Sequence, residues 1–184
     1  MSVADLDTLS PVLELGHQST MTFLRNHPYL ARIHVAAITD AETLYVTPHW
    51  HDKYDELFRV TKGRLQVRIG NNTRIYVPED GEILIPRGTV HGMRGFQGEE
   101  TIFEERTEPM SVEKELFFRN LLDGGKEPTS LLQVMVVAYK GDMRLAFPGH
   151  IKWLERAFVT ILGGYIAPLL GYKNKYSSYK LKAV

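Results

Sequence analysis

The sequence lacks cysteine altogether, has no excess of charge of either sign, and contains no apolar run long enough to cross a bilayer. Without cysteine the chain cannot form disulfides, zinc–thiolate sites, iron–sulfur clusters or a thiol nucleophile, so nitrogen and oxygen must hold any bound metal. The 22 basic residues balance the 22 acidic ones. This neutrality argues against a nucleic-acid binder, because such proteins need a basic surface to displace phosphate counterions.

The chain is otherwise ordinary in size and composition. Its 184 residues are 43% hydrophobic and 24% charged, which is typical of a globular protein with one main core. The first dozen residues lack the basic and apolar stretches of a secretory signal, so we expect a cytoplasmic protein. Seven histidines are the candidate metal ligands.

Residues 32–106 consist of short β-prone runs separated by turns that are rich in glycine and asparagine. In one run, apolar Leu65, Val67 and Ile69 alternate with polar residues, as in a strand with one buried face. The pattern predicts an all-β barrel or sandwich. Residues 19–24, with the sequence STMTFL, predict one more strand.

After about Ser111 the pattern changes, because apolar residues recur at intervals of three and four positions. This spacing predicts helices. We expect Gly124-Gly125 to end one helix and Ser130 to cap the start of the next.

The segment 157–172 carries no charge but is shorter than the roughly 20 residues that a membrane span needs. We interpret it as a pair of core or subunit-packing helices, broken near Gly163-Gly164 and Pro168. The alternative is a helix on a membrane surface, which is favoured by basic residues beyond the segment. Those residues are Lys173, Lys175, Lys180 and Lys182.

The sharpest local pattern is a pair of histidines at the end of a β-prone run. His49 and His51 are two positions apart, so on a strand their imidazoles project from the same face. Glu56 follows after room for a bend and can return its carboxylate to the same point. Imidazole and carboxylate together suit Fe(II), Mn(II), Zn(II), Ni(II) or Cu(II), and three such ligands leave coordination positions open.

A second cluster runs from Gly81 to His91 with the sequence GEILIPRGTVH. An apolar strand enters a Pro-x-Gly turn, and His91 begins the strand that follows. The residues between the two clusters, 64–80, are enough for a hairpin.

The two clusters resemble the two motifs of the cupin superfamily. The first motif is similar to HWHDKYDELFRVTKG, from His49 to Gly63, and the second is similar to the Gly81–His91 cluster. The chain departs from the family pattern at Thr43, where glycine is expected, and at Gly95, where asparagine is expected.

The resemblance implies a mainly β fold, a cupin-type jelly-roll barrel with a C-terminal helical extension. We expect three parts: residues 1–31 packing on the barrel, 32–106 forming it, and 107–184 as the extension. The resemblance also implies that one divalent transition metal is bound by His49, His51, Glu56 and His91. Of these, Glu56 and His91 are expected to take part in catalysis. The alternative is a barrel that keeps these residues as a polar core or as an effector pocket.

Four further residues are candidates for the wall of a substrate pocket. Phe58, Met93 and Phe103 have the strand parity to face the metal, although any barrel core needs such residues. His34 either lines the pocket or is a histidine satisfied by protein contacts. His17, His27 and His150 are interpreted as solvated. Four arginines are assigned to an outward, solvated or subunit-contact face: Arg59, Arg64, Arg68 and Arg74.

Two classes of function follow. The first is a metal-dependent enzyme acting on a small oxygen-bearing substrate with an aromatic or polyketide-like body, by dioxygenase-type chemistry or by Lewis-acid decarboxylation, isomerisation or cyclisation. Such a role fits secondary metabolism and a homodimer. The second is a non-catalytic module that binds a ligand, a partner or, less favoured, a membrane surface through its helical tail.

Overall fold

The computed structural model describes residues 2–6, 8–40, 43–111, 113–122 and 128–180. Within these ranges the chain is mostly β-strand. The strands are β1 (Ser2–Asp5), β2 (Val12–Gly16), β3 (Ser19–Phe23), β4 (Ala31–Val35), β5 (Tyr45–Trp50), β6 (Asp55–Lys62), β7 (Leu65–Ile69), β8 (Asn72–Tyr76), β9 (Ile83–Ile85), β10 (His91–Arg94), β11 (Thr101–Glu108), β12 (Arg144–Leu145) and β13 (Tyr176–Lys180).

The strands form two antiparallel sheets. One sheet has the order β12-β5-β10-β7-β8, and the other has the order β2-β3-β4-β11-β6-β9. Strands β1 and β13 make a separate parallel pair. The predicted mainly β jelly roll is confirmed.

A single large apolar core joins the two sheets. Phe58 and Phe103 contribute from one sheet, and Leu65 and Val67 from the other; none of them is more than 2% exposed. Polar Arg68, between Val67 and Ile69, is exposed, as the alternation predicted.

The strand predicted at residues 19–24 is confirmed as β3. It pairs with β2 on one side and with β4 on the other. The N-terminal region therefore contributes strands to the six-stranded sheet. The domain boundaries at residues 31 and 106 stay a prediction.

The C-terminal region contains the predicted helices together with strands β12 and β13. The helical segments are α1 (Glu113–Leu122), α2 (Leu131–Lys140), α3 (Lys152–Val159), a π-helical segment Thr160–Ile166, and α4 (Ala167–Leu169). Ser130 occupies the N-cap position of α2, but its side chain makes no capping hydrogen bond. The expected stop at Gly124-Gly125 and the basic Lys182 lie outside the described residues.

The predicted break at Gly163-Gly164 is wrong, because the helical path continues from α3 through the π-helical segment into α4. Gly163 packs so closely on α2 that a Cβ there would lie 2.0 Å from the carbonyl oxygen of Met135. The glycine thus serves close helix contact and does not end the helix. In the described part of the chain, no helix is long and apolar enough to span a membrane.

Candidate metal centre

The structure brings His49, His51, Glu56 and His91 together at one end of the barrel. His49 lies near the end of β5, His51 directly after it, Glu56 at the start of β6, and His91 at the start of β10. Residues His49 and His91 are register partners on neighbouring strands. One ligand atom from each of the four residues lies within 4.8 Å of the others, and all four residues are buried.

Backbone carbonyls orient all three imidazoles. The Nδ1 atom of His49 lies 2.9 Å from the carbonyl oxygen of Thr47, and that of His91 lies 2.9 Å from the carbonyl oxygen of Thr89. His51 Nδ1 lies 2.8 Å from the carbonyl oxygen of Asp142. Since a carbonyl only accepts, each Nδ1 carries a proton, and in its neutral form each ring would present an Nε2 lone pair.

These lone pairs face a carboxylate instead of a donor. Glu56 Oε2 lies 3.2 Å from His51 Nε2 and 3.4 Å from His91 Nε2. The Nε2 atom of His91 is buried and has no hydrogen-bond partner among the described residues. Burying acceptors against acceptors is costly unless a cation or proton lies between them. The donor set therefore fits a divalent metal, and the backbone carbonyls that accept from the Nδ1 atoms are partners that metal-binding histidines usually have.

The charges in the cluster are strongly coupled. Burial lowers the pKa of His49 well below its ordinary value, and the neighbouring His91 lowers it further. Burial also lowers the pKa of His51. For Glu56, burial opposes ionisation, but His91 and His51 outweigh it and hold the carboxyl pKa well below its usual range. Burial opposes protonation of His91, but the Glu56 carboxylate outweighs burial and raises the pKa of His91. The cluster thus favours neutral imidazoles at His49 and His51 and an ionised Glu56, which are the forms that bind metal.

Asp142, between α2 and β12, positions the loop of the first motif. Its backbone carbonyl accepts from His51, and its Oδ2 accepts from the backbone N–H groups of Asp52 and Lys53 at 3.1 and 2.8 Å. Asp142 has a φ of 59°, a conformation that Asp and Asn tolerate better than most residues. The sequence analysis missed this role, because nothing in the local pattern connects residue 142 with residue 51.

The helical extension also supports strand β5 directly. Strand β12 pairs with β5 so that Arg144 lies opposite Trp50 and Leu145 opposite His49. Behind this pair, the fully buried Glu155 of α3 accepts a hydrogen bond from Trp50 Nε1 at 2.7 Å. The C-terminal region is therefore part of the scaffold of the site.

A cavity of about 500 Å³ opens beside the cluster and includes His49, His51 and Glu56 in its lining. Of the proposed wall residues, Met93 and Phe103 line it.

The other two proposed wall residues do not reach the cavity. Phe58 is fully buried and packs edge-on against Tyr76. His34 points elsewhere and contacts Glu100, with 2.9 Å between Nε2 and Oε1. The alternative of a histidine satisfied by protein contacts describes His34.

Three charged residues in the cavity wall were not singled out in the sequence. Lys114 comes from α1, and Glu105 and Arg106 come from β11. Arg106 pairs with Glu82 and Glu108. Burial and the proximity of Glu56 raise the pKa of the Glu105 carboxyl to about 8. Burial lowers the pKa of Lys114, against the opposing effect of Glu56 and Glu105. Lysine and glutamate on a surface helix and a strand normally face solvent, so the sequence carried no local signal for either.

Most of the remaining candidates have structural partners. His150 is exposed, as expected, and its Nδ1 also lies 2.9 Å from Glu155 Oε2. His27 Nδ1 accepts from the backbone N–H of Tyr29, and His17 is exposed in the β2–β3 turn. None of the four arginines lines the cavity. Arg59 pairs with Glu104, Arg64 with Glu99, and Arg74 with Asp80. Arg68 donates a hydrogen bond to the carbonyl oxygen of Gly70.

The two departures from the motif pattern face each other. A Cβ added at Gly95 would lie 2.6 Å from Thr43 Oγ1. The absence of a side chain at residue 95 therefore makes room for the threonine at residue 43. Neither residue lies in the metal-binding cluster.

Two facing antiparallel sheets, with both motifs meeting at a buried cluster of three histidines and one glutamate, define a cupin barrel. No protein-family model matches the chain. It is 30% identical over 145 residues to an oxidoreductase of Arthrobotrys oligospora, covering 68% of this chain and 55% of that protein. It is 29% identical over 156 residues to the probable oxidoreductase patJ of Aspergillus clavatus, covering 72% and 45%. The chain thus spans about half the length of these curated relatives.

Solved cupin-type structures are similar to part of the chain. KdgF from Halomonas sp. matches with a TM-score of 0.43 and 16% identity, over 62% of this chain and 98% of that one. A RmlC-like cupin from Shewanella frigidimarina matches with a TM-score of 0.40 and 14% identity, over 57% and 88%.

Proposed function

We propose that the chain is a metal-dependent cupin enzyme that oxidises a small, oxygen-bearing organic substrate. The observation that carries the proposal is the buried Nε2 of His91, which has no hydrogen-bond partner in the described chain while it faces Glu56. His49, His51, Glu56 and His91 would hold one divalent metal. The names of the curated relatives, all oxidoreductases, favour redox chemistry over Lewis-acid decarboxylation, isomerisation or cyclisation.

A transition metal held by the three imidazoles and the Glu56 carboxylate would supply redox chemistry and open coordination positions for a substrate oxygen or dioxygen. The protein's own groups set the conditions for that chemistry. The Nδ1 hydrogen bonds of the histidines keep their Nε2 atoms aimed at one point. Glu56 is the carboxylate in the cluster, and it is also the candidate base for a substrate proton.

The cavity favours a substrate with an apolar body. Its apolar lining includes Met21, Ile33, Met93, Phe103 and Phe117. Its volume of about 500 Å³ is within the range of ordinary small-molecule sites. These features support an aromatic or polyketide-like substrate.

Metal analysis tests the proposal directly. Protein purified without chelators is expected to hold close to one transition metal per chain, and His51→Ala is expected to lose it. The matched control is His17→Asn, because His17 is exposed and its positive φ of 49° suits asparagine. Equal metal content in wild type, His51→Ala and His17→Asn would contradict the ligand assignment.

Redox function needs a second measurement. After loading with Fe(II), nitric oxide is used as a surrogate for dioxygen, and electron paramagnetic resonance reports whether it binds the iron. A new iron–nitrosyl signal in wild type, absent in His51→Ala, supports an oxygen-using enzyme. A fully loaded site that binds no nitric oxide argues for the Lewis-acid alternative.

A second candidate function, docking to a partner or a membrane surface, is favoured by the exposed apolar side chains of the C-terminal helices. Trp153 is 69% exposed and Leu169 is 86% exposed. Vesicle flotation tests the membrane version: flotation of wild type that is lost in a Trp153→Ser, Leu169→Ser double variant supports docking, and no flotation of wild type contradicts it.

A further inference from the structure

Lys114 is a buried lysine in the wall of the cavity. It lies in the first turn of α1 and is 4% exposed. Its Nζ lies 5.6 Å from the centre of the Tyr54 ring and 5.2 Å from that of Phe117. Among the described residues, no carboxylate forms an ion pair with the Lys114 ammonium, and no group accepts a hydrogen bond from it.

Other buried charges in this protein are paired directly. Glu115 Oε1 lies 2.7 Å from Arg119 and 3.0 Å from Arg25. Glu104 is held between two arginines at 2.7 Å each: Arg32 and Arg59.

A buried ammonium without such a contact partner is costly. The nearby aromatic rings and the carboxylates of Glu56, Glu105 and Asp142 offset only part of that cost, because the pKa of Lys114 stays below its ordinary value. Lys114, the exception, lines the same cavity as His49, His51 and Glu56.

Much of the rest of the cavity wall is apolar. The lining includes Met21, Ile33, Phe103, Phe117 and Phe118 together with Lys114. A bound molecule with an anionic group and an apolar body would therefore meet a surface of each kind in one cavity.

We infer that Lys114 anchors an anionic oxygen of the substrate, a carboxylate or an enolate, while the apolar wall holds the substrate's body. This inference rests on the proposed function for its place beside the metal. It narrows the substrate from any oxygen-bearing molecule to an organic acid or an acidic enol. Amines and uncharged polyols lack the acceptor charge that a buried ammonium requires.

Benzoate and its neutral analogue benzamide are the probes, because they share a ring that fits the apolar wall and differ in charge. Dissociation constants are measured by ligand-observed NMR, with both chelator-treated and metal-loaded protein. The variants are Lys114→Met, which removes the charge at similar length, and Lys114→Arg, which keeps it. The matched control is Lys140→Met, since Lys140 is exposed at the end of α2 and does not line this cavity.

Wild type is expected to prefer benzoate to benzamide by about tenfold or more, the usual worth of a charge-assisted hydrogen bond. Lys114→Met is expected to lose that preference, and Lys114→Arg and Lys140→Met to keep it. Metal content is expected to be unchanged in Lys114→Met.

Three results would overturn the inference. The first is no preference for benzoate in wild type, a measurement that needs no variant to fold. The second is a preserved preference in folded Lys114→Met. The third is loss of metal from Lys114→Met, which would place the lysine's role at the metal. If instead wild type binds benzoate through Lys114 but holds no metal, the proposed function fails and the anion site stands.

Discussion

The indole Nε1–H of Trp50 donates a 2.7 Å hydrogen bond to Glu155 Oε2, joining two residues that are 105 positions apart in the chain. Trp50 lies between the two histidines of the first motif. The same carboxylate accepts from the backbone N–H of Phe147 at 2.8 Å and lies 2.9 Å from His150 Nδ1. The fully buried Glu155 thus links the helical extension by hydrogen bonds to strand β5, which contains the candidate ligand His49.

Replacing Glu155 with leucine is expected to destabilise the protein by about 3–5 kcal/mol, because three hydrogen-bonding groups then lose a buried charged acceptor. Urea unfolding measures the change. Glu14→Gln, on an exposed position of β2, is the control and is expected to stay within about 0.5 kcal/mol of wild type. A Glu155→Leu variant as stable as that control would show that the buried network contributes little.

Asp142→Ala is expected to weaken metal binding by about 10- to 100-fold, the usual effect of removing an outer-shell partner. The variant loses the acceptor of two N–H groups in the loop and strains a residue with positive φ, so His51 is held less firmly. Competition with a chelator measures the affinity. Asp142→Asn tolerates the same φ and keeps an amide oxygen, so it is expected to lie closer to wild type. Equal metal affinity in wild type, Asp142→Ala and Asp142→Asn would show that Asp142 does not support metal binding.

The ionisation of Glu104 makes the free energy of unfolding depend on pH. Burial opposes its ionisation, but Arg32 and Arg59 outweigh burial and lower its pKa below the ordinary 4.5. Its contribution is therefore present above the unfolded pKa and is lost as pH falls through the lower folded pKa. Glu104→Gln is expected to cost about 1–3 kcal/mol at neutral pH and less in acid. The two proteins are compared by urea unfolding across pH 2 to 7, and parallel curves would refute this account.

Gly163→Ala is expected to destabilise the protein by about 1–3 kcal/mol or more, because the new Cβ would lie 2.0 Å from a backbone oxygen of α2. In an exposed helix the same change stabilises. Thermal unfolding separates the two cases. Ile161→Ala, at a 52% exposed position of the same π-helical segment, is the control. A gain in stability for Gly163→Ala would contradict the close helix contact.

Much of the barrel was predictable from the sequence because its signals are local. Alternation at Leu65 and Val67 reports a face buried on one side, and the segment 19–24 has the composition of a strand. The i, i+2 spacing of His49 and His51 places both rings on one face for any extended strand. These features depend on neighbours within a few residues, and the structure agrees with them.

The helical extension was less predictable, because its contacts are long-range. Gly163-Gly164 was interpreted as a break, whereas a glycine in a helix serves equally to let another helix approach. Nothing near residues 142 and 155 indicates that they support a motif about 90 to 105 positions earlier. The partner of a buried polar group is set by the packing of whole elements.

The sequence alone determined the fold class and the four side chains proposed to hold a metal, because hydrophobic periodicity and close ligand spacing are written in neighbouring residues. Only the tertiary structure decided which side chains line the cavity. In the structure Lys114 and Glu105 line the cavity and His34 and Phe58 do not, since strand register and the docking of α1 control which way a side chain points. The physical reason is that the burial and the neighbours of a charged side chain depend on all the elements that pack around it. The hydrophobic alternation of a strand depends only on the residues of that strand.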